Sequence, residues 1–341
     1  MHSTVRSVDF KMTAFRFAIF GLAMMAVLLS SRAGDAERSV LDQLKAAGLR
    51  QGYDRARKRF VFVASAGVAV NPTVEKKFFQ VRERLFRTAY LDAKGEVMRA
   101  FMTSFSASDE IVTEMRDGDE YERVSSFCEI CSGVQVPGTI TLCSAEAYDR
   151  KTRLYEVAVA VGWGMESCEM VREIEKNAMS GQTYGVDAEM KQWCSQHNLD
   201  NLMGCRRYVS SSGDAYVFAV GLADAVNAGK SPGQEDVVRG NAEHQARNSM
   251  VFELFCDTAL KDVVNQMTEE DRGKIRTWEK LLAKVNSRCR LKTVRMPVVK
   301  TRFVKDEITG KEKCICVVAI GPIKSFKGKN NKGDDRGKDN E

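Results

Sequence analysis

The sequence predicts an α+β protein made of two tandem modules, each a mainly antiparallel sheet covered by a long amphipathic helix. Three observations lead there. An apolar strand, a helix and a second apolar strand occur twice: Phe60-Val61-Phe62-Val63 running to Val70 matches Tyr216-Val217-Phe218-Ala219 running to Val226, and Tyr155 to Gly162 (YEVAVAVG) matches Cys314 to Gly321 (CICVVAIG). The helices between them share an Ala-x-x-x-Ala-basic core, Ala89, Ala93 and Lys94 in one copy and Ala242, Ala246 and Arg247 in the other. Each closing strand follows a polar turn that reads as a hairpin bend, Asp149-Arg150-Lys151-Thr152 in the first copy and Asp306 to Lys313 in the second. A repeat this long means a duplicated domain and not a solenoid of short units.

Residues 1–36 read as an export signal. Arg6, Lys11 and Arg16 give a basic start, and Phe17 to Leu29 is an uncharged apolar stretch too short to span a bilayer comfortably. Small residues offer cleavage after Ala33, with Ser31 at the third position back, or after Ala36, with Gly34 there. The alternative is an uncleaved anchor helix. The first cysteine is Cys128, so a lipid-anchored form is not expected. Removing the signal leaves 305 of 341 residues and takes the net charge from +6 to +4. That excess is scattered, which argues for a soluble surface and against nucleic-acid binding, and no stable membrane span is expected after cleavage.

Residues 37–55 hold a short helix, with Leu41, Leu44 and Leu49 at helical spacing and Gly48 near its end. The first module, 56–164, opens on the strand that Asn71-Pro72 stops. A helix then runs from about Thr73 to Phe105, with Leu85, Ala89, Ala93, Val97 and Phe101 four apart and Arg82, Arg84, Arg87, Lys94 and Arg99 on the remaining faces. Asp117-Gly118-Asp119 marks a turn, and Val124 to Tyr148 reads as short strands broken by Gly133 and Pro137-Gly138. A helical linker, 165–206, carries helices over Met165 to Met179 and Val186 to His197. The second module, 207–323, has a turn at Ser210 to Asp214 and the stripe Val238, Ala242, Ala246, Met250 and Leu254. Thr268 and Asp271 resemble a capping box ahead of a helix with Trp278, Leu281, Leu282 and Val285. Residues 324–341 form a polar, disordered tail. Small residues at the centre of each stripe let a helix backbone approach a sheet closely, so both stripes are assigned to packing.

The strand–Asn-Pro–helix run with its Ala-x-x-x-Ala-Lys core, followed by Tyr-Glu-Val-Ala-Val-Ala-Val-Gly-Trp, resembles bacterial envelope proteins built on a small lipoprotein-like domain. That domain is similar to small surface lipoproteins and to the N-terminal domain of a flagellar assembly protein. The chain resembles more closely a family of uncharacterised secreted envelope proteins in which the domain is duplicated. The resemblance covers most of residues 50–323 and implies a fold and an envelope location, with no catalytic residues to carry over. The lipid-bearing cysteine of the lipoproteins is missing here.

Cys128-Glu129-Ile130-Cys131 is the one arrangement that invites a chemical reading. A reactive pair of this spacing sits at a helix N-terminus, where the dipole lowers the thiol pKa, but here Ser-Gly-Val-Gln-Val-Pro-Gly follows and reads as strand and turn. Zinc wants four ligands; Cys143 supplies a third and no second close pair completes the set. Ten cysteines in an exported chain leave structural disulfides open. Cys314 and Cys316 face the same way on a strand, too far apart for an unstrained bridge, and Cys256 reads as helix core. Beyond the signal, His197 and His244 lie in no metal or protease motif, and Gly229-Lys230-Ser231 lacks the upstream glycine of a phosphate loop because Asp224 stands there. Trp163, Trp193 and Trp278 read as core or domain-interface packing.

These readings predict an exported, non-enzymatic cell-envelope protein, periplasmic or extracellular, that binds another macromolecule or serves as a scaffold. No catalytic, cofactor-binding or metal residues are assigned and no cofactor is expected; the partner would be an envelope protein or a cell-wall component. The competing expectation is an envelope thiol–disulfide or metal-binding protein using Cys128 and Cys131.

Overall fold

Long runs of Val, Ala and Phe make the strands, and a sheet of such strands must be covered on both faces. The computed structural model describes residues 34–105, 136–180, 184–185, 188–225, 233–265, 280–281, 284 and 296–323. Several segments read from the sequence lie outside these residues: 1–33, the turn at Asp117, the stretch 124–135 with Cys128 and Cys131, Gly229 to Ser231, Thr268 to Trp278, Leu282, Val285 and the tail 324–341.

The protein is α+β, with two four-stranded antiparallel sheets. The first contains β1 (Gly52–Asp54), β2 (Arg59–Ala69), β3 (Ile140–Asp149) and β4 (Leu154–Gly164), in the order β1-β2-β4-β3. The second contains β5 (Gly204–Val209), β6 (Ala215–Asp224), β7 (Val298–Lys305) and β8 (Glu312–Ile323), in the order β5-β6-β8-β7. The two sheets share one strand order, as two tandem modules of the same design require.

Helix α1 (Asp35–Ala46) lies on one face of the first sheet, packing Ala36, Val40 and Leu44 against Val61, Val63, Ala158 and Ala160. Gly48 ends its last turn in the left-handed region with φ 65°, and Leu49 N–H returns to Leu44 O at 2.8 Å. Helix α2 (Phe78–Phe105) covers the opposite face. It starts later than the sequence suggests, because the Asn71 side chain accepts the Thr73 N–H at 3.2 Å and holds the chain in a turn after Pro72. Between the modules run α3 (Met165–Met179) and α4 (Ala188–Gln196). The expected linker to residue 206 ends early, because Gly204 already begins β5. Helix α5 (Gln234–Asn265) covers the second sheet as α2 covers the first.

The two alanine stripes do what their size allows. Ala89, Ala93, Ala242 and Ala246 are fully buried, with Leu85, Val97, Met250 and Leu254 beside them. The closest approach is at Gly221 of β6, where a Cβ would lie 2.1 Å from Ala242 O and 2.3 Å from Ala246 N. Backbone therefore rests directly on backbone, and no side chain fits between.

The strands repeat with one difference. Phe60 of β2 faces α2, where Trp163 lies between it and Phe101 with ring centroids 6.1 and 4.9 Å away. Tyr216 of β6 faces away from α5 and meets Tyr208, which stacks on Trp193 of α4. Matching Phe60 to Tyr216 by sequence is thus one residue out of phase, and a one-residue shift turns every side chain to the other face. The closing strands keep their phase: Tyr155 packs on Phe78 of α2, while Cys314 and Cys316 both face α5, beside Arg239 and Arg247.

The packing predicts unequal tolerance. Ala93→Leu and Ala246→Leu should each cost roughly 1–3 kcal/mol by overpacking. Gly221→Ala should cost at least as much as Ala246→Leu, since its methyl meets backbone that cannot rotate aside. Urea denaturation of the three variants checks this; a Gly221→Ala midpoint equal to wild type would contradict the close approach.

Candidate functional site

Helix α2 has a second buried face that the four-residue stripe does not reveal. Phe79, Arg82, Phe86 and Tyr90 follow at spacings of three and four and turn toward the second module, whose Met203, Gly204 and Leu222 lie opposite. Sequence periodicity put Arg82, Lys94 and Arg99 on the remaining faces, yet all three are buried, at 1%, 1% and 5% exposure. Arg84 of the same set is exposed and Arg87 half-buried. Aromatic residues on both sides of Arg82 were the available signal, since a solvated arginine face has no reason to carry three rings.

Arg82 is the centre of an ionic cluster that joins the modules. Its Nε donates to Glu146 Oε1 of β3 at 2.9 Å, its Nη2 contacts the same oxygen, and its Nη1 donates to Asp306 Oδ2 at 2.9 Å. Asp306 ends the β7 side of the β7–β8 turn, 224 positions away in sequence. Lys313 Nζ of β8 donates to the same Oδ2 at 2.9 Å and to Asn201 Oδ1 at 3.2 Å. The other Asp306 oxygen accepts the Thr309 N–H and hydroxyl, both at 2.9 Å. Tyr155 OH donates to Glu146 Oε2 at 2.5 Å.

Two cations and two anions make the cluster neutral, the condition under which buried charge is tolerable. Burial alone would raise the Asp306 pKa, but Arg82, Lys313 and the Thr309 N–H outweigh it and hold the carboxyl at about 2. Burial lowers Lys313, helped by the nearby Arg82 and opposed by Asp306. Two cations and the Thr309 donors act on Asp306, while Lys313 shares its anion with Arg82. Asp149 occupies the matching turn of the first module. It accepts the Lys151 N–H at 2.8 Å and the Thr152 hydroxyl at 2.7 Å but stays exposed, so of the two turns it is the Asp306 one that meets the other module.

A second tie lies on α5. Glu253, 1% exposed, accepts the Cys205 N–H at 2.8 Å and the Thr141 hydroxyl of β3 at 3.1 Å through Oε2. Its backbone oxygen accepts from Tyr90 OH at 3.3 Å and Thr139 Oγ1 at 3.3 Å. Burial raises its carboxyl to about 8, against the Cys205 N–H, Thr141, Arg206 and Arg87. Arg206 of β5 makes the third tie, donating to Leu142 O at 2.9 Å and Ser144 Oγ at 2.8 Å on β3. The cleft that remains between the modules, edged by Phe79, Phe86, Arg87, Met203, Leu222 and Gln245, encloses about 20 Å³. That is room for about one water.

The other sequence candidates are dispersed. Cys143, Cys168, Cys194, Cys205, Cys314 and Cys316 are separate thiols. Burial raises Cys143, Cys194 and Cys314 to about 11 and lifts Cys205 and Cys316 as well, which removes the thiolate on which reactivity depends. Among the described residues no group of three or more His, Cys, Asp or Glu is placed to hold a metal. His197 stacks on Trp193 at 4.4 Å between centroids, and exposed His244 shares a 2.7 Å contact with Asn248. Trp163 is buried and donates to Pro137 O at 2.8 Å. No helix among the described residues is long and apolar enough to cross a membrane.

No family model and no curated protein matches the chain. A crystal structure of a hypothetical protein from Francisella tularensis is similar to it at 14% identity and a TM-score of 0.49, over 86% of this chain and 93% of that one.

The ionic cluster yields two expected outcomes. Arg82→Met leaves Glu146 buried without its cation and Asp306 with Lys313 alone, and should destabilise by roughly 3–5 kcal/mol; the Arg82→Met/Asp306→Asn pair should cost clearly less than the sum of the single changes. Additive costs in urea denaturation would mean the two do not interact. The titrations act in opposite senses. Asp306, depressed when folded, contributes stability that is present above about pH 4 and lost as pH falls toward 2. Glu253, raised when folded, gives a contribution present below about pH 4 and lost as pH rises toward 8. Glu253→Gln should therefore flatten the decline in stability between pH 5 and 8 by several kcal/mol; an unchanged slope would contradict the assignment.

Proposed function

We propose that the protein is an exported, non-enzymatic scaffold of the cell envelope that holds two related modules in fixed relation and binds another macromolecule. The observation that carries this reading is the buried Arg82–Asp306 contact, with its partners Glu146 and Lys313, because a scaffold needs its binding faces held rigidly. The charge and apolar pattern of residues 1–36 supports export, as does the resemblance to secreted envelope proteins with a duplicated lipoprotein-like domain. The described thiols are spent in packing, which favours this reading over thiol chemistry at those positions.

The surface we assign to the partner is the β1–β2 turn. Arg55, Arg57 and Lys58 stand exposed in succession, with Arg59 half-buried behind them. Lys58 takes φ 49°, in the left-handed region where the chain reverses. Arg207 of β5 lies near Arg59, held by Glu166 at 2.6 Å. A basic tip of this kind fits an anionic cell-wall component or an acidic face of an envelope protein.

Co-sedimentation of the mature chain with isolated envelopes tests the proposal. Saturable binding is expected, lowered roughly tenfold at low salt by Arg55→Glu with Lys58→Glu. Equal sedimentation of the variant would remove the turn from the interface. A wild-type chain that stays in the supernatant would overturn the envelope-binding reading itself.

A further inference from the structure

The N-terminal end of α1 has its own chemistry. Gly34 precedes α1 and its carbonyl accepts the Arg38 N–H at 3.0 Å. Ala36, two residues on, is fully buried in the core that α1 forms with the first sheet. The Ala36 N–H donates at 3.3 Å to Glu156 Oε2 of β4. A Cβ on Gly34 would lie 2.0 Å from both oxygens of that carboxylate, so Glu156 presses directly against the Gly34 backbone. Asp35 and Glu37 add negative charge beside it, and Ser65 Oγ donates to Glu37 at 3.2 Å. Burial and these two acidic neighbours raise the Glu156 pKa, while the Ala36 N–H and Ser65 pull it down. Three carboxylates thus meet at the first turn of α1, at the backbone of a glycine; Asp35 is the exposed one and also pairs with Arg38 Nη1 at 3.5 Å.

By the small-residue rule the two cleavage positions are equivalent, Ser31 and Ala33 for one and Gly34 and Ala36 for the other. The fold separates them. A cut after Ala36 would discard the residue that begins the helix, the carbonyl that accepts from Arg38, and a methyl group buried in the core. A cut after Ala33 keeps all three.

We propose that the chain is processed between Ala33 and Gly34, and that the α-ammonium released on Gly34 pairs with Glu156. An endopeptidase would hydrolyse that amide with one water. The hydroxyl goes to the Ala33 carbonyl carbon, the C–N bond breaks, and the Gly34 nitrogen leaves as an amine that takes up a proton at neutral pH. In the precursor the same nitrogen is an uncharged amide and offers Glu156 no countercharge. Processing therefore adds a cation where three acidic groups converge, and it stabilises α1 against the first sheet. The inference rests on the export reading and goes beyond it by choosing the site and giving the new terminus a partner.

N-terminal sequencing of the protein recovered from cells expressing the full chain decides the first half, and Gly34-Asp35-Ala36 is expected. A start at Glu37 would overturn this inference and leave export standing; a start at Met1 would overturn both. The second half is tested on purified chain beginning at Gly34, with the α-amine free or acetylated. Acetylation should lower Tm by roughly 2–4 °C, and Glu156→Gln should abolish that difference. An acetylation effect of the same size in the Glu156→Gln variant, or none in the wild type, would overturn the pairing.

Discussion

Arg82 joins the two halves of this protein. It leaves α2 on a face that a solvated helix would give to water and finds one anion in its own module and another 224 positions away. A charge placed there without both partners would cost several kcal/mol, so the position of the β7–β8 turn against α2 is a condition of folding. The remaining contacts between modules follow from that placement. Tyr90 reaches the Glu253 carbonyl, Thr141 reaches the Glu253 carboxyl, and Arg206 reaches back to β3. One apolar cluster then has members in both modules.

The two modules share a strand order and a helix–sheet packing. Asp149 and Asp306 each stand at the bend before the closing strand, and each accepts the hydroxyl of the threonine three residues on. Only Asp306 faces a buried arginine. The faces turned away from α2 in the first sheet and from α5 in the second are covered differently as well, by α1 on the first and by Trp193 of α4 together with α2 on the second. The one-residue phase difference between β2 and β6 accompanies that change, since the aromatic residue opening each strand turns to whichever face has a cover ready for it.

The modules were legible in the sequence because their signals are local and periodic. Ala89, Ala93, Ala242 and Ala246 announce close helix–sheet packing by spacing and size, and the strands announce themselves by composition. The interface was not legible. Periodicity reports how a helix meets its own sheet and says nothing of what packs on its other side, so Arg82 looked solvated. Glu253 stands beside the stripe, one residue before Leu254, where a carboxylate reads as facing water. Strand β1 is only three residues long and β5 follows a polar stretch, so neither gave a β signal. Two cleavage positions stayed open in the sequence because a small-residue rule does not register that Ala36 packs in the core between α1 and the first sheet.

If the buried ionic cluster fuses the modules, the chain should unfold as one unit although it contains two modules with a sheet each. Differential scanning calorimetry of the purified protein near pH 6 measures this directly. The account predicts a single transition whose calorimetric and van't Hoff enthalpies agree. Two resolved transitions, or a calorimetric enthalpy near twice the van't Hoff value, would show that the modules fold independently and that the cluster does not hold them together.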